Sequence, residues 1–162
     1  MPSSALDEKQ LLRMEGATPP RDTAWARSEE NVEIVRGAID AFNRGDYEAA
    51  LAVLDEDVEW HVPDVAALDA PASGAVRGRE GVSKVFGRWL GAWEPFSFEM
   101  TEILGHGEQV FLAGLQRGRG RHSGVDVSVP TFHVCTLRDR RIVVMRTFSD
   151  RAAALKAAGL SE

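Results

Sequence analysis

A chain of 162 residues, 44% hydrophobic and 27% charged, has room for one domain with its own core and little room for a second. The net charge of -6 opposes phosphate backbones and argues against nucleic-acid binding, although Arg117, Arg119 and Arg121 form a local basic stripe. No run approaches the roughly 18 apolar residues that span a bilayer, no apolar signal-type segment opens the chain, and the lone Cys135 has neither a disulfide partner nor a zinc-ligand spacing, so a cytoplasmic protein without membrane or metal is expected.

Residues 1–27 mix Pro19, Pro20, serine, threonine and charge without sustained periodicity. They are expected to form a flexible leader, with the folded domain over 28–162 and Met14 as an alternative first residue. Ser28 reads as an N-cap, after which Val32, Val35, Ile39 and Phe42 fall on one helical face. Gly45 suits the left-handed residue that closes this helix, and Asp46 suits the cap of a second one carrying Tyr47, Ala50, Leu51 and Leu54. Residues Val58 to Val62 alternate as a strand, with Val58, Trp60 and Val62 on one face and Glu59 and His61 on the other. The prolines and small residues from Pro63 to Val76 predict a loop over a pocket mouth. Helical spacing returns over Arg79 to Trp93, with Val82, Val85, Phe86, Trp89, Leu90 and Trp93 as an apolar stripe.

Four strands follow, Phe96 to Leu104, Gln109 to Arg121, Val125 to Leu137 and Arg141 to Phe148, joined by short glycine-, serine- and aspartate-containing turns. In the third, His133 shares a face with Val129, Thr131, Cys135 and Leu137; in the fourth, strict alternation groups Ile142, Val144, Arg146 and Phe148. Asp150 caps a last helix that Gly159 stops. Helices followed by an antiparallel meander make an α+β pattern, and a twisted sheet wrapped over helices leaves a cavity where its concave face is not filled. Val110 and Leu112 on one side of their strand, and Phe111, Ala113 and Leu115 on the other, leave apolar groups on both sides of the sheet, from which a homodimer is expected.

The Phe42-Asn43-Arg44-Gly45-Asp46 break, the Val58-Glu59-Trp60 strand, Arg77-Gly78-Arg79-Glu80-Gly81 before the third helix, and His133-Val134-Cys135-Thr136-Leu137-Arg138-Asp139 carry a resemblance over residues 29–160. In this combination the chain resembles the SnoaL-like family of the nuclear transport factor 2-like, or ketosteroid isomerase-like, superfamily. The resemblance implies a cone-shaped α+β barrel, with N-terminal helices packed on a curved antiparallel sheet that encloses a pocket. It leaves the chemistry open, because members include isomerases, polyketide cyclases, epoxide hydrolases and proteins without catalysis. In the resembling ketosteroid isomerases a strand acid contributes to the oxyanion hole, and alignment through Arg141 to Arg146 brings His133 near that position. The first-helix tyrosine falls on Ala38 and the first-strand aspartate on Val62, which argues against ketosteroid isomerase activity itself.

His133 is the leading candidate for chemistry, because a titratable group on an apolar strand face must find a partner or shift its pKa. It reads either as a hydrogen-bonded core histidine or as an acid or hydrogen-bond donor to a ligand. Arg146 reads as a carbonyl or anion binder or as a partner for an acid at the sheet edge. Asp64, just past Pro63, reads as a general base or a solvated loop acid. Trp60, Val62, Trp89, Trp93, Phe111 and Phe148 are the expected ligand-contacting residues, with plain core as the alternative for the aromatics. Cys135 reads as a small buried apolar residue. No nucleotide, phosphate or metal-ligand motif is visible, so no cofactor is expected. Two functions stay open: an isomerase, cyclase or hydrolase using general acid/base chemistry on a small apolar or aromatic carbonyl-bearing molecule, or a non-catalytic small-ligand-binding module or dimeric scaffold.

Overall fold

A computed structural model of the chain describes residues 24–62 and 74–160. Helix α1 spans Ala24–Asn43, α2 Tyr47–Ala52, α3 Gly78–Ala92 and α4 Arg151–Ala157; the strands are β1 Leu54–Val62, β2 Gly74–Arg77, β3 Trp93–His106, β4 Gln109–Gly120, β5 Asp126–Arg138 and β6 Arg141–Phe148. Helix α1 is therefore already formed four residues before the expected cap, and Ser28 lies inside it. The expected loop over 63–76 is shortened at its end, where residues 74–76 belong to β2, and its remainder lies outside the described residues.

The local punctuation of the first helices behaves as the residue types dictate. Gly45 adopts a φ of 87°, its N–H donates to the Phe42 carbonyl (3.1 Å), and the Asp46 N–H donates to the Ala41 carbonyl (2.8 Å), which together satisfy the last turn of α1. Asp46 then caps α2 by accepting from the Ala49 N–H at 3.1 Å. The exposed Asn43 ties α1 to β3: its Nδ2 donates to the Phe98 carbonyl (2.8 Å) and its Oδ1 accepts from the Phe98 N–H (3.0 Å). That double bond fixes the level at which the Phe98 ring enters the interior.

The six strands form one sheet in the order β2-β1-β6-β5-β4-β3. It is mixed rather than antiparallel throughout, because β1 runs parallel to β6, and it is open between β2 and β3 rather than closed into a barrel. Hydrophobic alternation marks a strand and its faces but carries no sign of the direction in which a distant strand pairs, which is why the parallel junction escapes a reading of single segments. A register shift at Thr136/Leu137 pairs Leu137 with Ile142 but Thr136 with Val144, inserting one residue into β6. The insertion reverses the phase of β6. Ile142 packs in the inner core, Met145 and Thr147 sit opposite Cys135 and His133, and Arg146 and Phe148 sit opposite Val134 and Phe132 on the other face.

Two cores result. Helices α1, α2 and α3 cover the concave face over Val58, Trp60, Leu112, Cys135 and Ile142. On the opposite face α4 buries Phe111, Ala113 and Val134 under Ala154, Leu155 and Ala158. Asp150 caps α4 by accepting from the Ala153 N–H (2.8 Å), while Arg151 forms a fork on Glu102 (2.6 and 3.2 Å) and lies 5.4 Å from the Phe111 ring centre. The second apolar face, which leads to the expectation of a homodimer, is covered at Phe111 and Ala113 by the chain's own last helix. The basic stripe is also paired: Arg117 with Glu99 (2.7 Å), Arg119 with Asp126 (2.8 Å) and Arg121 with Glu94 (2.6 Å). No helix among the described residues is long and apolar enough to cross a membrane.

Candidate functional site

Between α1, α3 and the concave sheet lies an apolar cavity of about 110 Å³. A single water needs roughly 10–15 Å³ on the same measure, so this space is far larger than a packing defect. Ala38 and Phe42 come from α1, Phe86 and Trp89 from α3, and Trp60, Phe98 and Leu112 from three strands. Polar groups are few: His133 and Cys135 on β5, Gln116 on β4, and the indole N–H groups of Trp60 and Trp89, the latter buried without a partner among the described residues.

A short relay orients His133. The Trp60 indole N–H donates to Thr147 Oγ1 (2.8 Å), and Thr147 Oγ1 lies 3.0 Å from His133 Nδ1. An indole nitrogen can only donate, so the hydroxyl accepts from Trp60 and keeps its own proton for Nδ1. All three groups are then satisfied, with Nδ1 as acceptor and the imidazole proton on Nε2. With Nδ1–H donating instead, the Thr147 hydroxyl proton finds no acceptor among the described residues and Nε2 becomes a bare acceptor. Nε2 makes no hydrogen bond to the described residues, and the half-buried ring lines the cavity and packs edge-on to Phe98, with ring centres 5.2 Å apart. Burial drives the His133 pKa down to about 4, because an imidazolium in this apolar setting loses its hydration and no carboxylate compensates it. Burial likewise pushes Cys135 up to about 12, leaving it a thiol and not a nucleophile.

The structure gathers some of the expected residues and disperses others. His133, Trp60 and Trp89 line the cavity, the last two with only 3% and 6% of their surface exposed. Trp93 packs against the inner core without reaching the lining, and its indole N–H is buried without a partner among the described residues. Phe111 and Phe148 belong to the α4 side, on the far face of the sheet. Arg146 joins them: its Nη2 donates to the Ala157 carbonyl (3.3 Å) at the end of α4, so the group expected to assist in the pocket points away from it. Asp64 lies outside the described residues, as does the side chain of Val62. His61 is exposed and 3.1 Å from Glu59, whose carboxyl Arg77 holds below its usual range through a 2.7 Å hydrogen bond. Ala38 lines the cavity as a methyl where the resembling isomerases carry a tyrosine.

Two residues were missed. Thr147 could be placed only once the β6 insertion was known. Gln116 had a legible signal, since it falls in phase with Leu112 along β4. What the arrangement offers is a neutral N–H donor in a dry setting, where a hydrogen bond to a carbonyl or a developing oxyanion is strong. No carboxylate or cation appears among the described lining residues, and no three His, Cys, Asp or Glu side chains among the described residues converge as a metal site.

Residues 35–145 match the family model for the SnoaL-like domain. No curated protein sequence matches the chain significantly. Among solved structures, an NTF2-like protein from Burkholderia xenovorans LB400 is 28% identical, with 81% of this chain and 96% of that one covered and a TM-score of 0.63. IdmH from Streptomyces antibioticus, a candidate polyketide cyclase, is 23% identical over 80% of this chain and 99% of its own, with a TM-score of 0.64. TerC, co-crystallised with polyporic acid, is 20% identical over 80% and 98%, with a TM-score of 0.64. The likeness to the last two is one of fold.

Proposed function

The chain belongs to the SnoaL-like domain family, and from that premise we propose that it binds a small, largely apolar, carbonyl-bearing molecule in the concave-face cavity and acts on it as an isomerase, cyclase or hydrolase. The observation that carries this reading is the Trp60–Thr147–His133 relay, which orients a cavity-lining ring through Nδ1 and leaves Nε2 without a hydrogen bond to the described residues. A donor held through a hydroxyl that Trp60 in turn fixes loses little entropy when it meets a carbonyl, and it stabilises negative charge developing on that oxygen. Its role is that of an electrophilic donor. With a pKa near 4 the ring is uncharged at neutral pH and carries no ready acidic proton. IdmH as a candidate polyketide cyclase and TerC with polyporic acid support a small-molecule ligand for this architecture.

The absence of a carboxylate or cation among the described lining residues favours one second reading, a binding module without turnover. Native mass spectrometry beside the denatured mass identifies a co-purified compound. Incubating that compound, or 2-acetylnaphthalene as a neutral aromatic ketone, with the protein gives binding by quenching of Trp60 and Trp89 and turnover by chromatography. Ketone binding weakened in His133→Phe, with consumption of the compound lost in the same variant, supports the enzyme. Binding without consumption supports the module. No ketone binding by the wild type overturns both.

A further inference from the structure

The relay uses one end of the cavity lining, and the sheet register places a second polar side chain well away from it. Gln116 lies on β4 in the inward phase of Leu112 and Gly114, is half-buried, lines the cavity, and its amide makes no hydrogen bond to the described residues. His133 pairs across the sheet with Leu112, four residues from Gln116. At about 3.3 Å per residue the backbone positions that carry the two groups are ~13 Å apart along the strand. Phe98 pairs with Gln116 at the backbone, yet its ring reaches back over Gly114 to His133: a Cβ built on Gly114 would stand 2.7 Å from Phe98 Cζ, and the ring centres of Phe98 and His133 are 5.2 Å apart. Glycine at 114 is what leaves room for that ring between the two ends. An unpartnered primary amide both donates and accepts, so it favours a hydroxyl or a carbonyl over a hydrocarbon.

Resting on the carbonyl-ligand reading above, we propose that Gln116 is a second anchor that determines specificity, so that the cavity selects an elongated, planar, uncharged molecule with a carbonyl at His133, an apolar body on the Phe98 ring and a hydroxyl or second carbonyl at Gln116. A ligand with one polar end leaves the amide without a partner and binds more weakly.

The test compares 2-acetylnaphthalene with 6-hydroxy-2-acetylnaphthalene, followed by tryptophan quenching in the wild type, Gln116→Leu and Gln116→Met, the two variants guarding against a misfolded one. The wild type is expected to prefer the hydroxylated probe by roughly three- to tenfold, the worth of one hydrogen bond. Both substitutions are expected to abolish the preference, weakening the hydroxylated probe relative to 2-acetylnaphthalene. A wild type that binds both probes equally, or variants that weaken both alike, overturns the role of Gln116 and leaves the carbonyl reading standing. Failure of the wild type to bind either probe overturns that reading and this inference together.

Discussion

Replacing Thr147 by valine deletes one hydroxyl while keeping the shape of the side chain, and it isolates the relay from packing. The Trp60 indole N–H at 2.8 Å and the His133 Nδ1 at 3.0 Å both lose their partner, and Trp60 is only 3% exposed, so water does not readily substitute. A buried polar group left unpaired costs about 1–3 kcal/mol, so two of them are predicted to cost about 2–4 kcal/mol after partial relaxation. That is a large share of the ~5–15 kcal/mol by which a domain of this size is stable. Urea unfolding at pH 7.5 measures the loss directly. Combining Thr147→Val with Trp60→Phe in a double-mutant cycle separates the shared bond, with a coupling of about 1 kcal/mol expected. Nitrogen chemical shifts of His133 supply an independent check: the wild type is predicted to carry its proton on Nε2, and Thr147→Val to mix the tautomers. A variant within about 0.5 kcal/mol of the wild type, or a wild-type proton on Nδ1, refutes the reasoning.

Further consequences can be measured on the same protein. Because the folded His133 pKa of about 4 lies below the ordinary 6.5, the unfolded chain binds a proton first as pH falls. Stability is full above pH 6.5 and declines from there to pH 4, by at most about 1.36 × 2.5, or ~3 kcal/mol; urea midpoints between pH 7.5 and 4.5 should flatten in His133→Gln, and an equal slope in that variant assigns the effect elsewhere. Gly114→Ala would drive a methyl into the Glu99 carbonyl and the Phe98 ring, so a loss of about 3 kcal/mol or more is expected in thermal unfolding; a loss under 1 kcal/mol would sink the close-approach argument. Arg146→Met should change the affinity for 2-acetylnaphthalene by less than twofold, since Arg146 lies across the sheet, and a tenfold loss would place it in the ligand site after all. Asp150→Ala removes the α4 cap and is predicted to cost about 1 kcal/mol in urea unfolding, with no change in probe affinity.

How much of the site was legible depended on how local its causes were. His133, Trp60 and Trp89 are positioned by alternation or helical spacing within one segment, and all three line the cavity. Arg146 and Phe148 looked equally inward by the same rule, and one inserted residue between Ile142 and Val144 turned them out while bringing Thr147 in. The insertion is set by how β6 meets β5, so it leaves no mark on either segment alone. Phe111 and the expected dimer face share a different cause: α4 is short, and nothing in its own seven residues says which surface it will cover.

The amino-acid sequence by itself determined the α+β class, the helix break at Gly45 and Asp46, the capping by Asp150, the inward face of β1 and the family, because each depends on residue type, period or a contiguous motif. Only the tertiary structure decided that β1 runs parallel to β6, that the sheet stays open, that α4 covers Phe111 and Ala113 on the second face, and that Trp60, Thr147 and His133 form one relay. Those features join residues such as Trp60 and Thr147, 87 positions apart, and hydrogen bonds at that separation are chosen by the packing of the whole sheet and its helices.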